Sequence, residues 1–447
     1  MRPRLDRALA ALARLVAGVF FRRVEVLGAE RIPADGPLVV VANHQNGLVD
    51  PVLLLAALPR PVRFLAKSTL WRIPVLASIL DLAGSIPVFR REDAGADTSR
   101  NLATFARCHE LLAGGGALAL FPEGTSHDRP ALQPLRTGAA RIALEAEARC
   151  GPLGVRILPV GLLFEEKTRF RSRALVVAGE PIAVAAAAGP EEAAARELTS
   201  AVAEGIRRVM LNFASWDQAR LVDRAAELFA SEGDAPSLAA EFSRQQALLA
   251  GRDELAARHP ERLAVLAAAV ADYDRHLRAA RLTDAQVAAH PRLLPAFAFL
   301  LRSLSGLGLR LPLALLGIAA NALPYQLARL AALAVRRDPN QVATYKLFPS
   351  LLLYPATWAG EALLAGRFLG GWAALAALLA APAAGWVALR YLEEQQRLRR
   401  EVRAFLLLRT RRSLHALLRS RRDAIRSELQ ELAREASAAR SSSRSTS

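Results

Sequence analysis

The stretch Leu38-Val39-Val40-Val41-Ala42-Asn43-His44-Gln45-Asn46-Gly47-Leu48-Val49-Asp50-Pro51 places polar side chains directly after a short apolar run. Such a run is typical of a buried strand that ends at the edge of a sheet. An imidazole at that edge, with a carboxylate soon after it, is what an enzyme needs to take a proton from an alcohol. The stretch therefore indicates a candidate catalytic pair, His44 and Asp50, although a His and an Asp this close together also occur by chance.

Similar apolar runs recur across the next part of the chain. We predict strands at 38–42, 62–66, 86–89, 117–121, 155–160 and 174–178, and helices at 51–57, 100–113 and 137–148. Strands that alternate with helices form an α/β fold, in which helices cover the sheet and ligands bind at the strand ends. The prediction is an α/β sheet flanked by helices, followed by a helical region and a C-terminal transmembrane helical hairpin.

The hairpin is predicted from two apolar runs of membrane-spanning length. They cover 348–364 and 368–389, and only residues 365–367 separate them, so both outer ends emerge on the same side. Basic residues flank those ends, which places them in the cytoplasm by the positive-inside tendency. An earlier apolar stretch, 311–335, contains polar residues and is predicted to be interfacial or re-entrant. The alternative for the hairpin is a buried helical pair in a large soluble core.

Charge and cysteine content limit the partners and the compartment. The formal net charge is +17, and residues 390–447 contain 15 Arg against 7 acidic residues, a net of +8. This charge favours anionic partners. Because the basic segment follows the apolar runs and has few aromatic residues, we expect membrane lipid headgroups as its partner and no nucleic acid. Two cysteines, Cys108 and Cys150, do not make a disulfide framework, so a reducing compartment is expected.

These patterns divide the chain into five predicted segments. No apolar core with a cleavage site is found near the N-terminus, so a secretory signal is not predicted. The segments are an amphipathic N-terminal helix at 1–30, the α/β domain at 31–190, a helical region at 191–305, a membrane region with the hairpin at 306–390, and a basic helix with a disordered tail at 391–447.

Three further segments have chemistry suited to an anion. Gly84-Ser85-Ile86-Pro87-Val88-Phe89-Arg90-Arg91 ends a strand in two guanidinium groups, and Phe121-Pro122-Glu123-Gly124-Thr125-Ser126 turns from a strand into a loop. Leu135-Arg136-Thr137-Gly138 begins a predicted helix. Free N–H groups at a helix start bind phosphate, and glycine allows the backbone to approach an anion closely.

In this order, the segments resemble the glycerophospholipid acyltransferases, which have Asn-His-x(4 or 5)-Asp and Phe-Pro-Glu-Gly-Thr motifs. Four blocks match, at 43–50, 84–90, 121–126 and 157–161, and the resemblance covers about 37–181. Most of the family has four residues between His and Asp. The five residues here resemble a subgroup of fungal glycerol-3-phosphate and dihydroxyacetone-phosphate acyltransferases with bacterial relatives, which favours the first acylation of the pathway over the second.

The resemblance assigns catalytic roles to His44 and Asp50. An alcohol is far less acidic than an imidazolium, so His44 must accept the proton as the oxygen attacks the thioester carbonyl. Asp50 would hold the other ring nitrogen and stabilise the imidazolium. Because this spacing does not align two side chains on one helix, the segment must turn, and Gly47 is the expected place. Asp50 has a structural alternative as the N-cap of a helix that starts at Pro51.

The resemblance also implies a set of substrate-binding residues. Arg90 would bind phosphate with Arg91 as a less favoured partner, and Glu123 would orient glycerol hydroxyls. Their alternatives are solvated charges for the arginines and a carboxylate bonded to loop amides for Glu123. The full predicted set is Lys67, Arg90, Glu123, Gly124, Thr125 and Arg136. His127 and Asp128 beside Glu123 suggest a metal site, but three such residues in one loop lack a fourth ligand, so no metal and no cofactor are expected.

The predicted function is acyl transfer from acyl-CoA or acyl carrier protein, as co-substrate, to glycerol 3-phosphate, with dihydroxyacetone phosphate as a further acceptor. The product would enter phosphatidic acid and phospholipid biosynthesis at the cytoplasmic face of the cell membrane, where the protein would be integral. Within the class, the alternative acceptor is 1-acyl-sn-glycerol 3-phosphate. In a different class, the alternative is a nonenzymatic basic membrane protein that binds anionic lipids through its arginine-rich tail.

Overall fold

A computed structural model describes residues 3–90, 92, 97–167, 169–185, 191–230, 237–289, 293–334 and 342–444. The chain divides into two compact units. The first unit contains residues 1–215 with two short additions at 237–242 and 337–344. The second unit contains the other residues and is entirely helical over its described part.

The first unit is an α/β domain built on one mixed sheet. Its strands are β1 (Arg23–Leu27), β2 (Leu38–Ala42), β3 (Arg63–Lys67), β4 (Ile86–Val88), β5 (Ala117–Leu120), β6 (Arg156–Phe164), β7 (Arg173–Ala178) and β8 (Ile182–Ala183). Its helices are α1 (Pro3–Phe20), α2 (Val49–Ala57), α3 (Pro74–Leu82), α4 (Asn101–Ala113), α5 (Gly138–Cys150) and α6 (Glu191–Val209). The predicted α/β sheet flanked by helices is confirmed.

The strand order places the first quoted stretch at the centre of the sheet. The order is β1-β7-β6-β2-β5-β3-β4, and β8 pairs with β6. The strands β6, β2, β5, β3 and β4 are parallel to their neighbours in this series, whereas β7 is antiparallel to β6. Parallel strands buried on both faces require continuous apolar runs, and all five residues of β2 are fully buried. One apolar core packs α4, α5 and α6 against β2, β5 and β6.

Three elements of the first unit were not predicted. Strand β1 lies at the edge of the sheet beside β7 and is mostly exposed, so it lacks an apolar run. Strand β8 has only two residues. Helix α3 has Pro74 in its first turn and an exposed apolar face that includes Val75 and Ile79, so no amphipathic pattern marks it.

The second unit is built from long helices. They are α7 (Trp216–Phe229), α8 (Leu238–Arg258), which starts in the first unit, α9 (Pro260–Ala280), α10 (Asp284–Ala288), α11 (Leu293–Ala334), α12 (Val342–Leu369), α13 (Gly371–Thr410) and α14 (Arg412–Arg444). A core of leucine and other apolar side chains joins α7, α9, α13 and α14. The tail predicted to be disordered is helical as far as Arg444, because α14 continues into it, and residues 445–447 lie outside the described residues.

The membrane region differs from the predicted hairpin. Residues 365–367 are helical within α12, and the turn lies at Gly370, whose φ of +91° suits glycine alone. Two helical ranges are long and apolar enough to cross a membrane, Leu294–Ala331 and Gly371–Thr410. The first includes most of the stretch predicted to be interfacial, whereas α12 is not among the candidates found in the described residues. Its Glu361 and two internal prolines lower its apolar character.

The two candidate spans pack closely against each other. A Cβ added to Gly317 of α11 would lie 2.0 Å from the carbonyl oxygen of Ala384 in α13. Asn321 Nδ2 donates to the carbonyl of Ala381 at 3.2 Å. Contact between small residues, supported by a polar side chain, is typical of helix pairs in membranes. Because only 22% and 17% of their most apolar windows are buried, these helices differ from the core helices of a soluble fold.

Candidate active site

The carboxyl ends of four parallel strands bring the predicted site residues to one edge of the sheet. His44 follows β2, Glu123 follows β5, Lys67 ends β3 and Arg90 follows β4. The register keeps the strand ends level, since Val41 pairs with Leu120 and Lys67 with Val88. Residues that are far apart in the sequence therefore meet where α/β folds bind their ligands.

His44 and Asp50 are in direct contact. Nδ1 of His44 lies 2.9 Å from Oδ2 of Asp50, whose side chain is completely buried, while the His44 side chain is 15% exposed. A carboxylate at Nδ1 keeps the proton of the neutral imidazole on that nitrogen and leaves Nε2 as the proton acceptor. In the described part of the chain, no residue is hydrogen-bonded to Nε2 of His44. The pair thus has the arrangement of a general base and its orienting carboxylate.

The turn between the two residues is held by the same carboxylate oxygen. Oδ2 of Asp50 accepts hydrogen bonds from the backbone N–H of Gln45 at 2.7 Å and of Asn46 at 2.8 Å. Gly47 is not among the described glycines with a left-handed φ, so its conformational freedom is not what makes the turn. Helix α2 begins at Val49 with Leu48 as its N-cap, so the N-cap alternative for Asp50 is wrong.

Phe121 fixes the plane of the imidazole from one side. Its ring stacks on that of His44 with centroids 4.0 Å apart and 12° between the planes. Phe64 stacks in turn on Phe121 at 6.3 Å. The imidazole is therefore held by a hydrogen bond at its edge and by an aromatic face, which restricts both of its side-chain torsions.

Glu123 is buried and fully engaged with the protein. Oε1 accepts the backbone N–H of His44 at 2.9 Å, and Oε2 accepts the backbone N–H of Gln133 at 2.8 Å. Oε2 also pairs with Nε2 of His127. These contacts match the structural alternative, a carboxylate bonded to loop amides, and its contact with glycerol hydroxyls stays a prediction.

A second group of predicted residues surrounds Gly124. This glycine has a φ of +77°, and a Cβ added to it would lie 2.5 Å from Nε of Arg136. Arg90 donates from Nη1 to the carbonyl of Gly124. Arg136 donates from Nη2 to Oε1 of Glu92 at 2.6 Å, and this hydrogen bond holds the pKa of Glu92 below its ordinary value. Two guanidinium groups thus converge on one loop, and one of them already holds a carboxylate.

Two more predicted residues, Lys67 and Thr125, lie at the end of β3 and in the loop after β5. Lys67 is half-buried at the end of β3, and the hydroxyl of Thr125 donates to the carbonyl of Ser126 at 3.2 Å. Arg91 lies outside the described residues. Asp128 pairs with Lys167 at 2.7 Å. No cluster of three or more His, Cys, Asp or Glu side chains in the described part of the chain is arranged to hold a metal ion.

Sequence reasoning did not identify two contributors to this site. Phe121 was named only as part of a motif, and His127 only as a rejected metal ligand. Both are distant from His44 in the sequence, and a single sequence contains no signal for contacts of that kind. The predicted α/β fold, in which ligands bind at the strand ends, located this edge of the sheet without assigning the roles of Phe121 and His127.

Residues 23–163 match the sequence model of the Acyltransferase family. The matched range begins with β1 and ends within β6, so it contains all of the predicted catalytic and substrate-binding residues. This part of the chain is similar to acyltransferase domains, as the resemblance implied.

Relatives with curated names are similar to part of the chain. Glycerol-3-phosphate O-acyltransferase 2 of Saccharomyces cerevisiae is 31% identical over 198 residues, which are 43% of this chain and 26% of the relative. A 1-acyl-sn-glycerol-3-phosphate acyltransferase of Chlamydomonas reinhardtii is 32% identical over 144 residues, 32% of this chain and 39% of the relative. The matches thus cover less than half of the length of these relatives.

Among solved structures, the chain is similar to the 1-acyl-sn-glycerophosphate acyltransferase PlsC of Thermotoga maritima. The identity is 24% and the TM-score 0.35, and the match covers 46% of this chain and 79% of the other.

Proposed function

We propose that this protein transfers a fatty acyl group from a thioester, acyl-CoA or acyl carrier protein, to the hydroxyl of glycerol 3-phosphate, with dihydroxyacetone phosphate as a further acceptor. The observation that carries the proposal is the contact between His44 and a fully buried Asp50 at a strand end inside the matched acyltransferase range. The product would be lysophosphatidate, which enters phosphatidic acid and phospholipid synthesis.

In the proposed reaction, Nε2 of His44 removes the proton of the acceptor hydroxyl while the oxygen attacks the thioester carbonyl. The carbonyl carbon becomes tetrahedral and then expels the thiolate, and the proton on His44 passes to that sulfur. Asp50 stabilises the imidazolium that forms between these two steps. No acyl-enzyme is required, because the base acts directly on the acceptor.

The acceptor phosphate would bind the guanidinium groups beside Gly124. Arg90 and Arg136 both lie against this glycine, and a phosphate offers the bidentate geometry that guanidinium groups prefer. Lys67, at the end of the neighbouring strand β3, would add positive charge, and Thr125 would contribute its hydroxyl. Glu92 would have to release Arg136 when the phosphate arrives.

The alternative acceptor is 1-acyl-sn-glycerol 3-phosphate. It is supported by the 32% identity to a Chlamydomonas reinhardtii protein with that activity in its name. Both acceptors present a phosphate and a glycerol hydroxyl, so the same residues serve both. They differ in whether an acyl chain must fit beside the hydroxyl.

The proposed location is the cytoplasmic face of the cell membrane. Two exposed apolar helices support membrane integration, and the basic residues that follow the second candidate span favour anionic lipid headgroups. The soluble phosphorylated acceptor would then be converted into its lipid product at the membrane surface.

An acceptor and donor panel tests the proposal. Wild type and His44→Ala, in lipid nanodiscs, are given each of the three acceptors with acyl-CoA or acyl carrier protein, and products are measured by mass spectrometry. We expect lysophosphatidate from glycerol 3-phosphate, and a loss of roughly a thousand-fold or more in His44→Ala. His259→Ala, a partly exposed histidine of the second unit, is the matched control and should keep wild-type activity.

Three outcomes would overturn all or part of this proposal. Activity on 1-acyl-sn-glycerol 3-phosphate alone would make the alternative acceptor correct. Equal product from wild type and His44→Ala would remove the catalytic role of the pair, and no product from the wild type with any acceptor would leave the nonenzymatic lipid-binding class.

A further inference from the structure

A closed cycle of hydrogen bonds joins both backbone groups of His44 to two residues, Glu123 and His127. The N–H of His44 donates to Oε1 of Glu123 at 2.9 Å. Oε2 of Glu123 pairs with Nε2 of the His127 ring, and the backbone N–H of His127 donates to the carbonyl of His44 at 3.1 Å. The cycle therefore begins and ends at the residue proposed as the base.

The tautomer of the neutral His127 ring follows from its other contact. The backbone N–H of Arg129 donates to Nδ1 of His127 at 3.2 Å, so Nδ1 is the unprotonated nitrogen. Nε2 then carries the proton and donates to Glu123, which is the arrangement that a carboxylate requires. The side chain of Glu123 is 1% exposed and that of His127 is 15% exposed. Such burial strengthens the hydrogen bonds and makes the loss of one partner costly.

Other contacts at His44 do not replace this cycle. Asp50 holds the edge of the imidazole and Phe121 holds its face, but both act on the side chain. The cycle holds the N–H and C=O groups of His44 and so fixes the position of the backbone that carries the imidazole. A displacement of about 1 Å at a reacting group can reduce the rate roughly a hundred-fold.

We propose that His127 is a positioning residue for the reaction, which aims His44 at the acceptor hydroxyl through Glu123 without contacting substrate. The proposal deepens the proposed function and rests on it for the acyl-transfer step. It also assigns Glu123 first to holding His44, since both of its oxygens are occupied by protein donors.

Variants of His127 that differ only in reach test the proposal. In His127→Gln, the amide N–H group can occupy the place of Nε2 and donate to Glu123, whereas the shorter side chain of His127→Asn reaches only the place of Nδ1. We expect His127→Ala and His127→Asn to lower kcat roughly 10- to 100-fold, with the KM for the acceptor within about threefold of wild type. His127→Gln should recover most of kcat.

Hydrogen exchange gives a second readout that does not depend on activity. The amide of His44 should exchange faster in His127→Ala and His127→Asn than in wild type and His127→Gln, measured by mass spectrometry on the peptide that contains it. Asp128→Asn is the matched control, because Asp128 is the next residue but contacts Lys167 instead of the cycle. It should match wild type in both measurements.

Each outcome decides for or against the proposal. A kcat within twofold of wild type in His127→Ala, or equal losses in the Gln and Asn variants, would overturn it. If His127→Ala does not fold, the contrast between Gln and Asn still decides. If the wild type acylates none of the acceptors, the proposed function fails, and the exchange of the His44 amide alone then confirms or overturns the cycle.

Discussion

At the scale of single residues, one oxygen atom of Asp50 both holds the turn and contacts the imidazole of His44. Oδ2 accepts two backbone N–H groups as well as Nδ1 of His44. The sequence alone suggested two competing roles for this carboxylate, an N-cap and an orienting group. The structure shows that its structural role lies in the turn before the helix, so the two roles use the same atom and do not compete.

Asp50→Asn should therefore lose activity while it keeps most of its structure. The amide has nearly the same shape, but it carries no charge to stabilise the imidazolium, and it can present an N–H group to Nδ1. We expect kcat to fall roughly a thousand-fold or more. Initial rates at saturating acceptor measure this. Asp35→Asn, on a side chain that is 98% exposed, is the control and should equal wild type. A decrease of less than tenfold would contradict the orienting role.

Gly124→Ala should affect both stability and acceptor binding. The φ of +77° costs an alanine about 1 kcal/mol, and the added Cβ would push Arg136 away, since the two atoms would be 2.5 Å apart. We expect a lower melting temperature and a several-fold higher KM for glycerol 3-phosphate. Gly138→Ala is a matched control, because no atom lies within 4 Å of its added Cβ at the start of α5. A normal KM in Gly124→Ala would contradict phosphate binding by Arg136.

The sequence predicted which residues belong to the site better than it predicted the contacts between them. His44 and Asp50 lie in one short stretch, so their pairing was visible in the pattern. The stack with Phe121 and the cycle through His127 form because β2 and β5 are paired. This pairing depends on the whole sheet. For the same reason, the two alternatives for Glu123 could not be separated until its neighbours were known.

At the scale of secondary structure, burial decided what could be predicted. The central strands β2 and β5 are apolar throughout and were found at nearly their observed bounds, whereas the exposed edge strand β1 was not. The turn of the predicted hairpin was misplaced because residues 365–367 interrupt the apolar run. A helix tolerates one glycine, and Gly370, followed by Gly371, is where α12 ends.

The last motif block, 157–161, has a packing reason at its glycine. A Cβ on Gly161 in β6 would lie 1.7 Å from the carbonyl oxygen of Val209, the last residue of α6. Since the clash is with a backbone atom, movement of a side chain cannot relieve it. We expect Gly161→Ala to destabilise the first unit by about 3 kcal/mol or more, seen as a lower urea midpoint. Gly18→Ala, with open space around its added Cβ, should be neutral or stabilising. A neutral Gly161→Ala would mean that α6 is not held against β6.

At the scale of the whole molecule, the basic C-terminal segment is part of a folded unit. Arg422 forms a buried ion pair with Asp284, and Arg421 pairs with Asp272. Apolar side chains of α14, among them Leu418 and Ile425, enter the core of the second unit. Some of the positive charge is therefore used inside the protein. This weakens the alternative in which an arginine-rich tail alone binds anionic lipid, and it directs attention to the apolar helices.

The apolar helices lead to a prediction about how the protein is held at the membrane. Electrostatic binding is screened at about 1 M salt, where the Debye length is about 3 Å, whereas burial of apolar helices in lipid is not. We expect the full chain to remain in the membrane pellet after washes with high salt and with alkaline carbonate, because the most apolar windows of Leu294–Ala331 and Gly371–Thr410 are only 22% and 17% buried in the protein. The control is a variant with Arg397, Arg399 and Arg400 replaced by glutamine, which should sediment as wild type does. Release of the wild type by salt alone would show instead that the basic segment holds the protein to lipid, and the two helices would then need a protein partner to cover them.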